Sequence, residues 1–432
     1  MKKVGKKVLV YLCFYLGLTL LFSALMLGSY LLPDYNIRGH IAESIGQLSL
    51  EGVGYSPFFQ QPSATLDTHT DALMLNIAFN KGKNEEQRTL EKAFENSFYE
   101  DNKSAITALE TNTKTTAYSN HEYSRYWHGI QVMLRPLLIF FNYSEIRYLL
   151  MFVVIILLGI VFTMIGRQLG TKYGIALAIT VCLMYITLIP MSLQYSSIFI
   201  VTLISMIAVM VLYKHHLQKY IAFLFFTIGA LATYFDLLTY PLVTLGLPLV
   251  LAVLLENKAN KGEKKVLSFM GFIIKLGVIW AIGYGLLFFT KWVIASIVLK
   301  KDAVTLAIEQ LLFRVNGNER YPVNRLEVIR NNFDYFYIPT ARYILAVVAA
   351  IWLVMLLLYK RERKEMKVWL PLIGIAIVPY IWYLAFAGHS SIHSWFTNKI
   401  QAMSIFAILS GMFYMIDETK IGKYINRKKG GN

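Results

Sequence analysis

The chain has 432 residues, 56% of them hydrophobic and 16% charged, with a mean hydropathy of +0.50. A soluble domain carries about a quarter of its residues as charges, so this composition excludes a soluble enzyme and points to an integral membrane protein. There is no Walker loop, zinc-ligand spacing or internal repeat, which argues against a self-contained ATP-driven pump.

Met-Lys-Lys-Val-Gly-Lys-Lys opens the chain and precedes an apolar run from Val8 to Leu32. That run is longer than the hydrophobic region of a signal peptide and reaches Pro33 without a clear small-x-small cleavage site, so it reads as a retained first span. Cys13 and Cys182 both fall inside apolar runs and imply no disulfide framework.

Residues 33 to 128 follow as one long polar segment with 13 acids and 8 bases, half of all the acids in the chain. Gly52, Gly54, Pro57 and Pro62 forbid regular structure up to Ala-Thr-Leu-Asp-Thr-His-Thr-Asp at 64–71, and Asp71 to Phe79 then reads as a helix. Thr68 as N-cap and Asp71 three residues on fit a capping box. Asp67 is left without a capping role. A carboxylate beside a helix N-terminus is stabilised by about 0.3–1 kcal/mol and kept ionised, which suits a metal ligand or a carboxylate that orients an attacking hydroxyl. Residues Glu85 to Glu100 read as a solvated amphipathic helix with Leu90, Phe94 and Phe98 on one stripe. Residues 120–142 carry Trp127 and His128 ahead of an apolar stretch broken by Arg135-Pro136, the pattern of a helix lying in the membrane interface. An aromatic belt at headgroup level explains Trp127 equally well.

Further apolar runs lie near 146–166, 173–190, 197–213, 220–235, 240–255, 267–289, 341–359, 368–387 and 399–416. With the first, they predict about ten spans, some of them short of the usual ~17–25 residues. The short connections that begin at Met1, Arg167, Lys214, Glu256, Lys360 and Asp417 hold 22 of the 42 basic residues and 6 of the 26 acids. They alternate with the other connections, so the positive-inside rule places both termini in the cytoplasm. Topology and anionic headgroups therefore account for the net charge of +16 without a nucleic-acid partner.

Two shorter outer segments complete the reading. Residues 291–340 carry Lys291, Lys300, Lys301, Arg314, Arg320, Arg325 and Arg330 against five acids, and Ala387 to Lys399, AGHSSIHSWFTNK, holds His389 and His393. The expected organisation is a cytoplasmic start and first span (1–32), an extracytoplasmic loop with an interfacial helix (33–145), spans two to seven (146–290), a second outer loop (291–340), and spans eight to ten with a basic tail (341–432). Function is expected where the three outer segments meet, because long loops kept on one face usually bind or react.

One span, a long outer loop with an acidic motif, an interfacial helix and many spans returning to shorter outer loops together resemble the GT-C superfamily of membrane glycosyltransferases. The likeness covers topology over most of the chain. Its motif is Asp67 and Asp71, spaced Asp-Thr-His-Thr-Asp where the superfamily has Asp-x-Asp or Glu-x-Asp. The segment from His389 to Thr397 is also similar to loops in bacterial proteins of cell-surface polysaccharide clusters. The resemblance implies an all-α polytopic fold, an acidic residue of the first outer loop as base or metal ligand, and a polyprenyl-phosphate sugar donor. It further implies a glycan, wall-polymer or lipid acceptor at the outer face of a bacterial plasma membrane. Asp67 and Asp71 are then the catalytic candidates, with a divalent metal as the one cofactor they would hold. A lipid-phosphate donor needs cations at headgroup depth, for which Arg135, Arg320, Arg325, His389 and His393 are candidates, with Trp127 and His128 beside them. The arginines also have acids to pair with, such as Glu319 and Glu327, and two histidines alone make a weak metal signal. A transporter, flippase or polymerase of lipid-linked glycans, and a non-catalytic scaffold of surface-polymer assembly, are the alternative readings.

Overall fold

The computed structural model describes residues 2–57, 61–260, 262, 265–361 and 367–417, with side chains from Val8 onward. The basic tail that contributes to the topology signal lies outside the described residues. Among those described, the fold is all-helical, and extended pairing is limited to isolated bridges such as Phe98 with His121. After α1 (Lys2–Tyr30) come five helices of the long polar segment: α2 (Asp34–Glu51), α3 (Thr68–Phe79), α4 (Thr89–Glu95), α5 (Ala105–Lys114) and α6 (Gln131–Leu138). The bundle continues with α7 (Tyr143–Gln168), α8 (Thr171–Leu183), α9 (Leu193–Lys214), α10 (Ile221–Phe235), α11 (Leu242–Ala259) and α12 (Val266–Leu299). Two polar-segment helices, α13 (Ala303–Asn316) and α14 (Arg325–Phe336), precede α15 (Pro339–Tyr359), α16 (Trp369–Ala385), the short α17 (Ala387–Ile392) and α18 (Ser394–Thr397), and α19 (Ala402–Tyr414).

Every apolar run of the sequence contains a helix here. Six of them, α1 from Val8, α7, α9, α11, α12 and α15, are long and apolar enough to cross a membrane. The other four, α8, α10, α16 and α19, have 13, 15, 17 and 13 residues. At 1.5 Å per residue they rise roughly 20 to 26 Å, less than the ~30 Å hydrocarbon core. The chain is thus a multi-pass membrane protein with six helices that meet the length criterion and four apolar helices that fall short of it.

The polar segment differs from its reading in two places. The helix expected over Glu85 to Glu100 is confined to α4, and Phe94 packs with Phe22, Met26, Trp127 and Tyr234 in a buried cluster. The expected interfacial helix is the eight-residue α6, whose Gln131, Leu134, Arg135 and Leu138 are buried. It packs on α1, α2 and α3.

At the centre of the bundle, α9 and α11 pack on each other and are buried along most of their length. The hydroxyls of Ser196, Thr202 and Ser205 donate to carbonyls of the preceding turn, so these polar residues need no water. Where α10 crosses α12 the backbones touch: a Cβ on Gly229 would meet the Trp280 carbonyl oxygen at 2.1 Å, and one on Gly283 the Phe226 oxygen at 2.2 Å. Small residues at such crossings are what lets helices associate in lipid, where no hydrophobic drive operates between them. The outer faces of α1, α7 and α15 carry exposed Leu20, Ile155 and Leu357.

The connections sort into two ends. Lys258 Nζ reaches the Gln168 carbonyl at 2.6 Å, Tyr213 donates to Glu256 at 2.7 Å, Asn257 to Tyr414 at 3.1 Å, and Lys367 to the Gly262 carbonyl at 2.9 Å. The basic connections therefore gather together, and the polar segments gather at the far ends of the same helices. Helix α12, with 34 residues, is about 51 Å long. Its last turns carry the first polar segment: Lys291 donates to the Phe94 carbonyl at 2.6 Å and Trp292 to the Arg125 carbonyl at 3.0 Å. Reporters fused after Asn84 and after Ala259 should read outside and inside respectively; both on one side would contradict the alternation of basic connections.

Candidate functional site

The two aspartates of the acidic motif do different things. Asp71 is buried, and its carboxylate accepts four hydrogen bonds: from the Tyr143 hydroxyl at 2.7 Å, Ser192 Oγ at 3.0 Å, Leu193 N at 2.9 Å and Gln194 N at 3.2 Å. The last two are free amides at the start of α9, so Asp71 caps a helix that begins 122 residues away rather than its own. Burial pushes its carboxyl up to about 6, opposed by Arg147, Tyr143 and Leu193. Arg147, which forks onto Glu51, balances the charge from α7.

Asp67 is the N-cap of α3, one residue earlier than the capping box placed it. Its side chain accepts from Thr70 N at 3.1 Å and Thr70 Oγ at 2.7 Å. Thr68, expected to cap, has a buried hydroxyl without a partner. The shift follows from rank, since Asp at a cap outperforms Thr. Asp67 borders a cavity of about 800 Å³ that also meets His69, Gln194, Arg314, His389 and His393. Burial raises its carboxyl above the usual range, and both Thr70 bonds oppose that. Lys399 fixes the approach to this corner by donating to the Ser63 carbonyl at 2.7 Å.

Opposite stands a cation held by neutral groups. Arg314 Nη1 lies 3.4 Å from His389 Nδ1 and 3.3 Å from His393 Nε2. His389 Nε2 is 2.8 Å from the Leu238 carbonyl oxygen, so that nitrogen carries the proton and Nδ1 accepts from the arginine. Burial, then His393 and Arg314, drive His389 well below its ordinary value, and burial with Arg314 lowers His393 to about 3. Both rings are neutral, and no carboxylate lies within ion-pair distance of Arg314 among the described residues. Its Nε is buried without a partner. Gly388 makes this contact possible, because a Cβ there would lie 2.4 Å from the Phe313 carbonyl oxygen.

Arg314 also borders a second cavity of about 340 Å³, walled by Tyr126, Tyr284, Phe288, Trp292 and Leu311 and met at its other cation by Arg125. The Arg125 guanidinium lies 4.2 Å from the Tyr123 ring centroid, and its Nε is buried and unpartnered. Leu306 and Leu312 of α13 and Leu286 and Phe289 of α12 are exposed nearby in sequence, an apolar setting for the slot.

The structure brings Asp67, His389 and His393 to one cavity, and places the other candidates elsewhere. Arg135 is spent inside the protein, donating to the Ser29 carbonyl at 2.9 Å, to Asp34 at 2.6 Å and to the Ala78 carbonyl. Trp127 donates to the Leu287 carbonyl at 2.9 Å within the buried cluster. His128 adopts φ 55° with Nε2 3.2 Å from the Tyr123 oxygen, and burial lowers it to about 3. Arg325 is exposed and bonds Asn316 at 3.0 Å. Arg320 borders a third cavity. Arg314 and Arg125 carry the site's charge, yet nothing in the sequence separates them from the other bases of their loops.

A metal shared by Asp67 and Asp71 does not fit. Asp71 has both oxygens filled by donors, and Asp67 directs both at Thr70. Nor do three His, Cys, Asp or Glu side chains come together for one ion among the described residues. The histidine pair turns its facing lone pairs to Arg314.

Replacing Asp71 by Asn sets an amide NH2 against donors and removes the charge that faces Arg147, and should lower folding stability by about 3 kcal/mol. Asp67→Asn keeps a cap of equal rank and should cost a few tenths of a kcal/mol. Thermal unfolding in detergent checks both; equal melting of the two variants would contradict the division of roles. Comparison with protein-family models, curated proteins and solved structures returns no match, so function must be argued from this geometry.

Proposed function

We propose that this chain is a membrane glycosyltransferase of GT-C type. It moves a sugar from a polyprenyl-phosphate donor to a glycan, wall polymer or lipid at the outer face of a bacterial plasma membrane, with ten helices crossing and both termini cytoplasmic. The observation that carries the reading is a carboxylate, Asp67, and a cation with no counter-ion among the described residues, Arg314, bordering one cavity while Arg314 also borders an apolar aromatic slot. A lipid phosphate has the same three parts: a sugar, an anion and a hydrocarbon tail.

In this reading the tail occupies the slot, the phosphate sits between Arg314 and Arg125, and the sugar lies toward Asp67. Asp67 takes the proton of the acceptor hydroxyl as its oxygen attacks the anomeric carbon. The bond from that carbon to the phosphate oxygen breaks, and the lipid phosphate leaves with its charge stabilised by the two guanidinium groups. Neutral His389 and His393 orient Arg314 without cancelling its charge. The raised carboxyl of Asp67 makes it a stronger base than a solvated aspartate. A transporter would place charged groups near the bilayer midplane, whereas α9 and α11 carry no Asp, Glu, Lys, Arg or His before Lys214 and Glu256.

In membranes holding equal amounts of protein, Asp67→Asn should slow sugar transfer by about 10²- to 10⁴-fold, and Arg314→Gln should weaken use of the donor. Because ionised Asp67 is the active form and its carboxyl is raised, the wild-type rate should fall with acid at a pH above the ordinary carboxylate range. That limb should vanish from the residual rate of Asp67→Asn. Full activity in Asp67→Asn would remove the carboxylate from the mechanism.

A further inference from the structure

The third cavity, of about 770 Å³, is built on the opposite flank of α3 from Asp67. Asp67 and Thr70 border the first cavity and Asn76 this one, while His69, Leu73 and Tyr123 border both. The two spaces are therefore neighbours across one helix ridge, and an occupant of the third cavity has a short way to Asp67. The volume is that of a small-molecule site, about 300–1,000 Å³.

Its walls mix flat rings, Phe98, Tyr99 and Tyr123, with polar groups, and its charges are unbalanced. The two acids are already engaged: Glu100 pairs with His121 at 2.8 Å, and Asp101 accepts from Lys103 N at 3.0 Å and Thr107 Oγ1 at 3.3 Å, closing the turn into α5. Three cations remain, Lys103, Arg125 and Arg320, and none has a carboxylate within ion-pair distance among the described residues. They come from three separate connections, before α5, before α6 and between α13 and α14. A neighbouring cluster shows how the same segment treats cations that serve structure alone. There Lys83 pairs with Glu95 at 2.9 Å and Glu122 at 3.2 Å, and Lys301 pairs with Glu95 at 3.1 Å and also with Glu122. Three cations against two carboxylates leave the cavity with a net positive charge, which an anionic occupant neutralises.

We infer that this cavity is the acceptor subsite and that it selects a saccharide chain bearing negative charge, carboxylate or phosphate, read by Lys103 and Arg320. The rings supply platforms for sugar faces, and Arg125 closes the end nearest the donor phosphate. This rests on the transferase reading for the word acceptor; the anion site itself rests on the charges.

The test measures binding, not transfer. The full chain in zwitterionic nanodiscs is titrated with hexagalacturonate, with a glycerol-phosphate oligomer and with neutral maltohexaose. An anionic probe should bind at least 10-fold tighter than maltohexaose and weaken as salt rises, and the probe that binds identifies carboxylate or phosphate. Lys103→Ala with Arg320→Ala, both at exposed positions, should lower that affinity at least 10-fold with an unchanged melting temperature, while Arg325→Ala, an exposed cation that does not line this cavity, should bind as wild type does. Equal affinity for all three probes, no binding of either anion, or unchanged binding in the double variant would overturn the inference. If Asp67→Asn kept full transfer while the anionic probe still bound, the transferase mechanism would fall and the anionic-saccharide site would stand.

Discussion

The buried carboxylate of Asp71 ties the polar segment to α7 and α9 of the membrane bundle. It takes the free amides of α9, the hydroxyl of Tyr143 on α7 and, at one remove, the Arg147 pair with Glu51 on α2. An unpaired charge at that depth would cost several kcal/mol, so the four elements are held to one arrangement. Asp67 stands one helical turn earlier on α3, with its own position set by that anchoring. The acidic motif therefore pairs a lock, Asp71, with a cavity-lining cap, Asp67, the lock being what gives Asp67 a fixed place against the bundle.

Charge is handled in two ways across the end of the bundle that carries the polar segments. Where a cation only fastens elements, it meets a carboxylate or spends its donors on carbonyls, as Lys301 does with Glu95 and Glu122 and Arg135 does with Ser29 and Ala78. Where a cation borders a cavity, it is held by groups that do not neutralise it: Arg314 by two neutral imidazoles, Arg125 by the faces of Tyr123 and Tyr126. The low dielectric around such groups strengthens their pull on an anion without adding a competing one.

Hydropathy located the apolar helices among the described residues, and the interior basic connections near Gln168, Glu256 and Lys367 gather at one end of the bundle. What periodicity cannot supply is the depth of each helix: α8 stops at Leu183, and the chain then turns through Pro190 before α9 begins. Asp67 and Asp71 stand out in sequence by type alone. Their roles depend on partners far along the chain, and local pattern assigned the cap to Thr68. The same limit applies to Trp127, His128 and Arg135. An aromatic and basic cluster reads as interface, but Trp127, His128 Nε2 and Arg135 are turned inward to the carbonyls of Leu287, Tyr123 and Ser29. Arg314 became visible only when Gly388 brought His389 against the end of α13.

The central claim is that a lipid phosphate lies with its anion at Arg314 and its tail in the slot between α12 and α13. Photolabelling with a polyprenyl phosphate that carries a diazirine in its first isoprene units, followed by mass-spectrometric mapping, tests it directly. The account predicts adducts on the peptides containing Phe288, Trp292 and Leu311, lost in Arg314→Gln. Labelling spread over α1, α7 and α15 and indifferent to Arg314 would contradict it.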